Sequence, residues 1–324
     1  MIEDFDPKEI KPDPYEDEFS LKGINPTISP FAAACIGLVG GFFLYQIVGG
    51  TITLLIFGLN MKNAPVNGLR LMTMAGEVLF ILLPALLFTK WFYKDITRVL
   101  RVKVPELKEI MLFTLGLIIL IPMLQSFMVI QNYFIDLWAQ HNHLVNYLKS
   151  LLDKLDAYVE TTYEGLIKPG SVPEAGLIIL IVAIVPAICE ETMFRGFVQR
   201  SFEFKMKPFK AALLTAIFFG LYHFNPYGLF ALIALGFYLG FASYSSNSII
   251  LAMFLHFLNN FTAITMYFAA GNKDMLDNTA ATNGEARTAF IVFLGLLLLF
   301  AGVLYLIRRY YSQKNMRNQY AGMS

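Results

Sequence analysis

Eight apolar runs, each close to the length needed to cross a bilayer, occupy most of this chain: roughly 31–57, 71–93, 109–133, 174–198, 208–224, 227–243, 247–269 and 288–308. A spanning helix needs about 20 apolar residues, because its backbone polar groups must pair within the segment. The runs predict an all-α, polytopic membrane bundle of about eight transmembrane helices. Composition agrees: 56% of residues are hydrophobic and 15% charged, whereas soluble domains carry about 25% charged residues. A net charge of +1 removes nucleic-acid binding on electrostatic grounds. Only Asn225-Pro226 separates the fifth run from the sixth, which predicts a tight helical hairpin, and Ser243 to Ser248 forms a similar polar turn.

The chain divides into four parts. Residues 1–30 form an acidic, proline-rich tail containing Glu3, Asp4, Asp6 and Glu9. It lacks the basic start and short apolar core of a cleaved signal peptide. Residues 31–173 hold three spans and a long loop, 174–270 hold the next four, and 271–324 hold the last span and a basic tail. Lys and Arg fall 17 to 7 in favour of the N-terminal side, which predicts cytoplasmic N- and C-termini and a plasma-membrane protein, bacterial in type. In the loop 134–172, Leu144, Leu148, Leu151, Leu155 and Tyr158 recur at helical spacing with polar residues between them. An extracytoplasmic amphipathic helix is expected there, lying in the interface or packing over the bundle. His141 and His143 at its start read as surface residues, and Cys35 and Cys189 as small buried hydrophobes. Glu77, inside the second run, reads as a buried hydrogen-bonded or interfacial carboxyl.

An ionisable side chain in a spanning segment is costly, about 2.5–3.5 kcal/mol at mid-helix on insertion scales, so each one needs a reason. Glu190, Glu191 and Arg195 stand in the fourth run, His223 ends the fifth, and His256, Asn259 and Asn260 lie in the seventh. Residues four apart share a helix face, so Glu191 can pair with Arg195, and His256 points the same way as Asn260. Glu190 is turned by about 100° from Glu191 and faces elsewhere. Counted from the basic ends, Glu190 is about ten residues in, His256 about nine and His223 about thirteen, depths that allow one shared cavity. Such a cavity supports water activation: a glutamate with a histidine holds and deprotonates water, while a histidine and an amide stabilise an oxyanion. Glu190, His223 and His256 are equally an acceptable zinc set with an open fourth position, and both arrangements stay open. The plainer readings are a structural Glu191–Arg195 ion pair, hydrogen-bonded histidines and asparagines acting as interhelical glue.

In this order and in spanning segments, Glu190-Glu191-x-x-x-Arg195, Phe219-x-x-x-His223 and His256-x-x-x-Asn260 resemble the three motifs of the CPBP (Abi) family of intramembrane proteases. That family includes type II CAAX prenyl endopeptidases and bacteriocin-processing or self-immunity proteins. The resemblance covers about 175–265 and implies a catalytic core within 174–270. It implies that Glu190 is the general base activating water with His223. Glu191 and Arg195 support the site, and His256 and Asn260 stabilise the oxyanion. It implies a peptide or protein substrate at the membrane and, in the glutamate-type description of the family, no cofactor, with zinc the older alternative. A non-catalytic immunity or scaffold protein keeping the fold is the competing expectation. A transporter coupling protons through buried carboxylates finds no support from an internal repeat.

Overall fold

The computed structural model describes residues 21–58, 64–270 and 282–321. Most of the acidic tail and the 271–281 connection lie outside the described residues. Among the described residues, ten helices make the fold: α1 (Pro30–Phe57), α2 (Val66–Tyr93), α3 (Ile96–Leu100), α4 (Leu107–His141), α5 (His143–Ile167), α6 (Val172–Glu203), α7 (Pro208–Tyr222), α8 (Leu229–Ser246), α9 (Ile249–Ala270) and α10 (Asn283–Ala321). No strand occurs among the described residues.

The ends of these helices follow from local chemistry. Pro30 and Pro208 open α1 and α7, where a missing N–H costs nothing. Glu106 and Glu109 form a reciprocal capping box at the start of α4. Ser171 accepts from the Glu174 N–H at the start of α6. Lys94 and Asn247 adopt left-handed backbone and stop α2 and α8. Three of the long helices widen into π-helical turns: Phe43–Gly49 in α1, Glu77–Leu82 in α2, and Leu180–Ile184 and Thr192–Val198 in α6.

Among the described residues, seven helices are long and apolar enough to cross a membrane: α1, α2, α4, α6, α8, α9 and α10. The eighth expected span, α7, has only 15 residues, about 22 Å. It packs along α8 as the other arm of the expected hairpin. Two apolar cores lie on either side of a seam. One joins α1, α2, α6 and α7 through Leu38, Ile81, Ala85, Phe197 and Phe219. The other joins α4, α8, α9 and α10 through Phe113, Leu117, Leu239, Leu255 and Ile307.

The seam is narrow because α8 presents Gly236 and Gly240 to it. A Cβ at Gly236 would lie 2.9 Å from the Phe219 ring, and one at Gly240 would lie 3.0 Å from Ala212 Cβ. Their exposed backbone becomes useful: Gly236 O accepts from Arg195 Nη2 at 3.0 Å and Gly240 O from Gln199 Nε2 at 3.2 Å. Small residues at a four-residue spacing let membrane helices approach closely enough for such bonds.

Both ends of the bundle are tied by polar side chains. At the basic end, Tyr93 donates to Ser201 Oγ at 2.7 Å, Arg200 Nε donates to Val99 O at 3.1 Å, and Arg101 pairs with Glu203. At the opposite end, the buried Arg70 donates to Leu166 O and Lys168 O, both at 2.8 Å, and meets Glu174 at 3.3 Å. There α4 runs past its expected end at 133 to His141. The amphipathic helix α5 turns back along α4, with Lys149 Nζ 3.3 Å from Asp136. Leu144, Leu148, Leu151, Leu155 and Tyr158 stay exposed along α5, while Lys149 and Asp156 are half-buried.

Candidate active site

Glu190 and Glu191 end the α-helical stretch Val185–Glu191 of α6, just ahead of the π-helical turn that carries Arg195. Single π-turns inside helices occur often at functional positions because they redirect side chains. The rotation between adjacent residues separates the two carboxylates.

Glu191 faces the seam and is fully buried. Its Oε1 accepts from Arg195 Nη1 at 2.6 Å and lies 2.8 Å from His256 Nδ1 on α9. Arg195 is fully buried as well. Its guanidinium lies 4.3 Å from the centroid of the Phe219 ring and donates to Gly236 O. The expected Glu191–Arg195 pair therefore forms, but it has a third member, His256. A carboxylate against Nδ1 sets the tautomer and orientation of an imidazole.

Glu190 faces the other way, toward the end of α7. Its Oε2 lies 4.0 Å from His223 Nε2, and the side chains are 17% and 28% exposed. His223 Nδ1 sits 2.7 Å from Phe219 O. A carbonyl only accepts, so Nδ1 carries the hydrogen and a neutral ring turns the lone pair of Nε2 toward Glu190. Two acceptors then oppose each other across 4.0 Å.

Asn260, one turn beyond His256, donates from Nδ2 to Val182 O at 2.9 Å and accepts from Asn259 Nδ2 at 3.0 Å. These bonds fix which end of the amide is the donor and leave its second hydrogen free. Helices α6, α7 and α9 thus bring Glu190 to His223 and Glu191 to His256, as two adjoining units.

Two residues gain importance that the sequence did not give them. Phe219 supplies the carbonyl that sets His223, and its ring touches both histidines, with centroids 4.6 Å from His223 and 5.9 Å from His256. The Phe-x-x-x-His spacing was the available signal, since it places the carbonyl four residues before the ring. Glu77 opens the π-helical turn of α2, is buried, bonds to Tyr45 and lies within electrostatic reach of Glu190. No local pattern could have shown that neighbour. His141 and His143 lie apart, exposed in a cleft of about 530 Å³ at the α4–α5 turn with Asp136 and Lys149. Cys189 is buried and Cys35 partly buried, both as free thiols.

Among the described residues, no three His, Cys, Asp or Glu side chains converge as a metal ion would require. The zinc set Glu190, His223 and His256 does not fit as placed, because His256 turns its Nδ1 to Glu191 while Glu190 faces His223. No step of the chemistry below is routed through a metal.

Residues 173–262, which carry Glu190, Glu191, Arg195, Phe219, His223, His256 and Asn260, match the family described as type II CAAX prenyl endopeptidase Rce1-like. This segment is an Rce1-like domain. No curated protein and no solved structure matches the chain. The Rce1-like domain runs from the start of α6 into α9 and includes the short α7, so the seam and both carboxylate units lie inside it. Membership implies an intramembrane protease acting on a peptide or protein, in an integral membrane protein with seven candidate spans.

Proposed function

We propose that this protein is an endopeptidase that cuts a peptide bond near the cytoplasmic membrane face using a glutamate-activated water. The reading rests most on the opposed acceptors, Glu190 Oε2 and His223 Nε2, 4.0 Å apart. A water between them donates one hydrogen to each, which leaves its lone pairs free for a carbonyl carbon. As the water oxygen bonds to that carbon, its proton passes to Glu190 and the carbonyl oxygen becomes an oxyanion. When the intermediate collapses, the C–N bond breaks and Glu190 returns the proton to the leaving amine.

His256 and Asn260 serve the oxyanion. The free Nδ2 hydrogen of Asn260 is one donor. His256 offers a hydrogen from Nε2 only as imidazolium, with the Glu191 carboxylate at Nδ1 as its counter-ion. Arg195 pairs with Glu191 at 2.6 Å and holds it in place. The family description supports a membrane-tethered substrate, and a farnesylated CAAX peptide is the first to try. The bilayer is the other partner, and the basic excess supports cytoplasmic termini in a bacterial-type plasma membrane.

Glu190→Gln keeps the shape but removes the proton acceptor, and turnover is expected to fall by about 10²–10⁴-fold. Retained cleavage in purified Glu190→Gln protein would sink the role given to Glu190. Turnover that survives chelation in metal-free protein supports the glutamate route, whereas loss with recovery on zinc addition returns the older alternative. A scaffold or immunity role draws on a specific observation: Glu191, Arg195 and His256 satisfy one another as a folding cluster would. In that case Glu190→Ala with His256→Ala leaves the biological phenotype unchanged.

A further inference from the structure

His223 lies one residue past the last helical residue of α7, so its backbone rides on the turn leading to α8. That turn has little internal support. Phe224 has φ of 48°, and a bulky residue in left-handed backbone costs about 1–3 kcal/mol unless its surroundings impose it. One local bond, from the Gly228 N–H to Asn225 Oδ1 at 2.7 Å, closes the far side.

The near side continues α7 through His223 N–H to Gly220 O at 3.3 Å and Phe224 N–H to Leu221 O at 3.4 Å, and the support from α4 and α5 meets at Tyr227, which is 8% exposed. Its carbonyl accepts from Gln131 Nε2 of α4 at 2.8 Å, and its hydroxyl donates to Asp153 of α5. Asp153 is held in turn by Lys149 at 3.0 Å, and Lys149 also reaches Asp136 of α4. The far end of α5 is anchored through Arg70 of α2. Burial pushes the Asp153 carboxyl up, but hydrogen bonds from Tyr227 and Lys149 and the Lys149 charge outweigh it and hold it below the usual carboxylate range. Burial first, then the Asp153 carboxylate, keep the Tyr227 phenol protonated. Donor and acceptor are therefore fixed at neutral pH.

We propose that Asp153, Tyr227 and Gln131 are positioning residues that clamp the α7–α8 turn and hold His223 at its working distance from Glu190, which makes α5 a strut of the active site. This rests on the proposed role of His223. Catalytic groups have to be held within about 0.5 Å of productive geometry, and a displacement of about 1 Å can cost 10²-fold in rate. A helix outside the Rce1-like domain would thus complete its site.

The test uses the full chain in detergent micelles, with Tyr227→Phe, Asp153→Asn and the double variant, and Lys154→Gln as a control on the same helix. Hydrogen exchange over 221–229 is measured alongside hydrolysis of an internally quenched farnesylated CAAX peptide. Both single variants should exchange faster over 221–229 and lose about tenfold or more in kcat with KM unchanged. The double variant should be no worse than either single one, since all break one link. Unchanged exchange over 221–229 overturns the clamp, and faster exchange with wild-type kcat overturns the positioning role. If the wild type leaves this peptide uncut, the substrate class fails separately, and the exchange result still decides whether α5 holds the turn.

Discussion

Glu190 and Glu191 are chemically identical neighbours, yet the helix rotation between them gives one a guanidinium and an imidazole and the other a facing lone pair. Removing one partner from a buried ion pair leaves an uncompensated charge, which typically costs about 3–5 kcal/mol. Arg195→Ala should therefore lower the unfolding temperature sharply in detergent, because Glu191 is fully buried. A variant that melts with the wild type would show that Glu191 is not charged there. Glu191→Gln removes the counter-ion at His256 Nδ1 while keeping the shape. It also leaves the buried Arg195 guanidinium uncompensated, so it should melt earlier as Arg195→Ala does, and the kcat of the protein that remains folded should fall by about 10²-fold or more through the oxyanion site. Wild-type kcat in that variant would remove His256 imidazolium from the mechanism.

The seam between α6, α7 and α8 exists only because α8 is stripped of side chains at two positions. Gly236→Ala places a Cβ 2.9 Å from the Phe219 ring and 3.3 Å from Arg195 Nη2. Overpacking of that kind costs about 1–3 kcal/mol. Here it also pushes on the ring under Arg195 and the segment whose carbonyl sets His223. Stability and turnover should both fall in Gly236→Ala, measured by thermal unfolding and peptide cleavage. A change at Gly284, with open space around its Cβ position, should affect neither. If Gly236→Ala is silent, α8 is not as tightly seated as its glycine carbonyls require.

Among the described residues seven helices have spanning length, and an odd count would put the termini on opposite faces. Helix α7 is the candidate that would restore the parity. It pairs along α8 as a hairpin, and we propose that it returns the chain across the bilayer even though it is short. Its turn meets α4 at Gln131, ten residues before the end of that helix at His141, about 15 Å inward. Helix α5 folds down to that depth to meet it. Both termini are then expected on the basic face. Alkaline phosphatase fused at the C-terminus should be inactive in a bacterial host and a fluorescent-protein fusion bright. The reverse result would mean that α7 and α8 do not form two crossings.

The apolar runs made a helical membrane bundle readable without any tertiary information, because hydrocarbon forces each backbone to pair within its own segment. The motif residues were readable for the same reason: Glu190, Glu191, Arg195, His223, His256 and Asn260 stand out where polarity is expensive. Partnership was not readable. Nothing in spacing along one helix says that His256 on α9 takes Glu191, that Glu77 lies near Glu190, or that Gly236 admits Phe219 and Arg195. Nor does the leucine periodicity of α5 show that its Asp153 reaches Tyr227. Hydrophobic periodicity records which groups avoid water or lipid, whereas hydrogen-bond partners depend on helix depth, rotation and approach, and those are settled only when the helices pack.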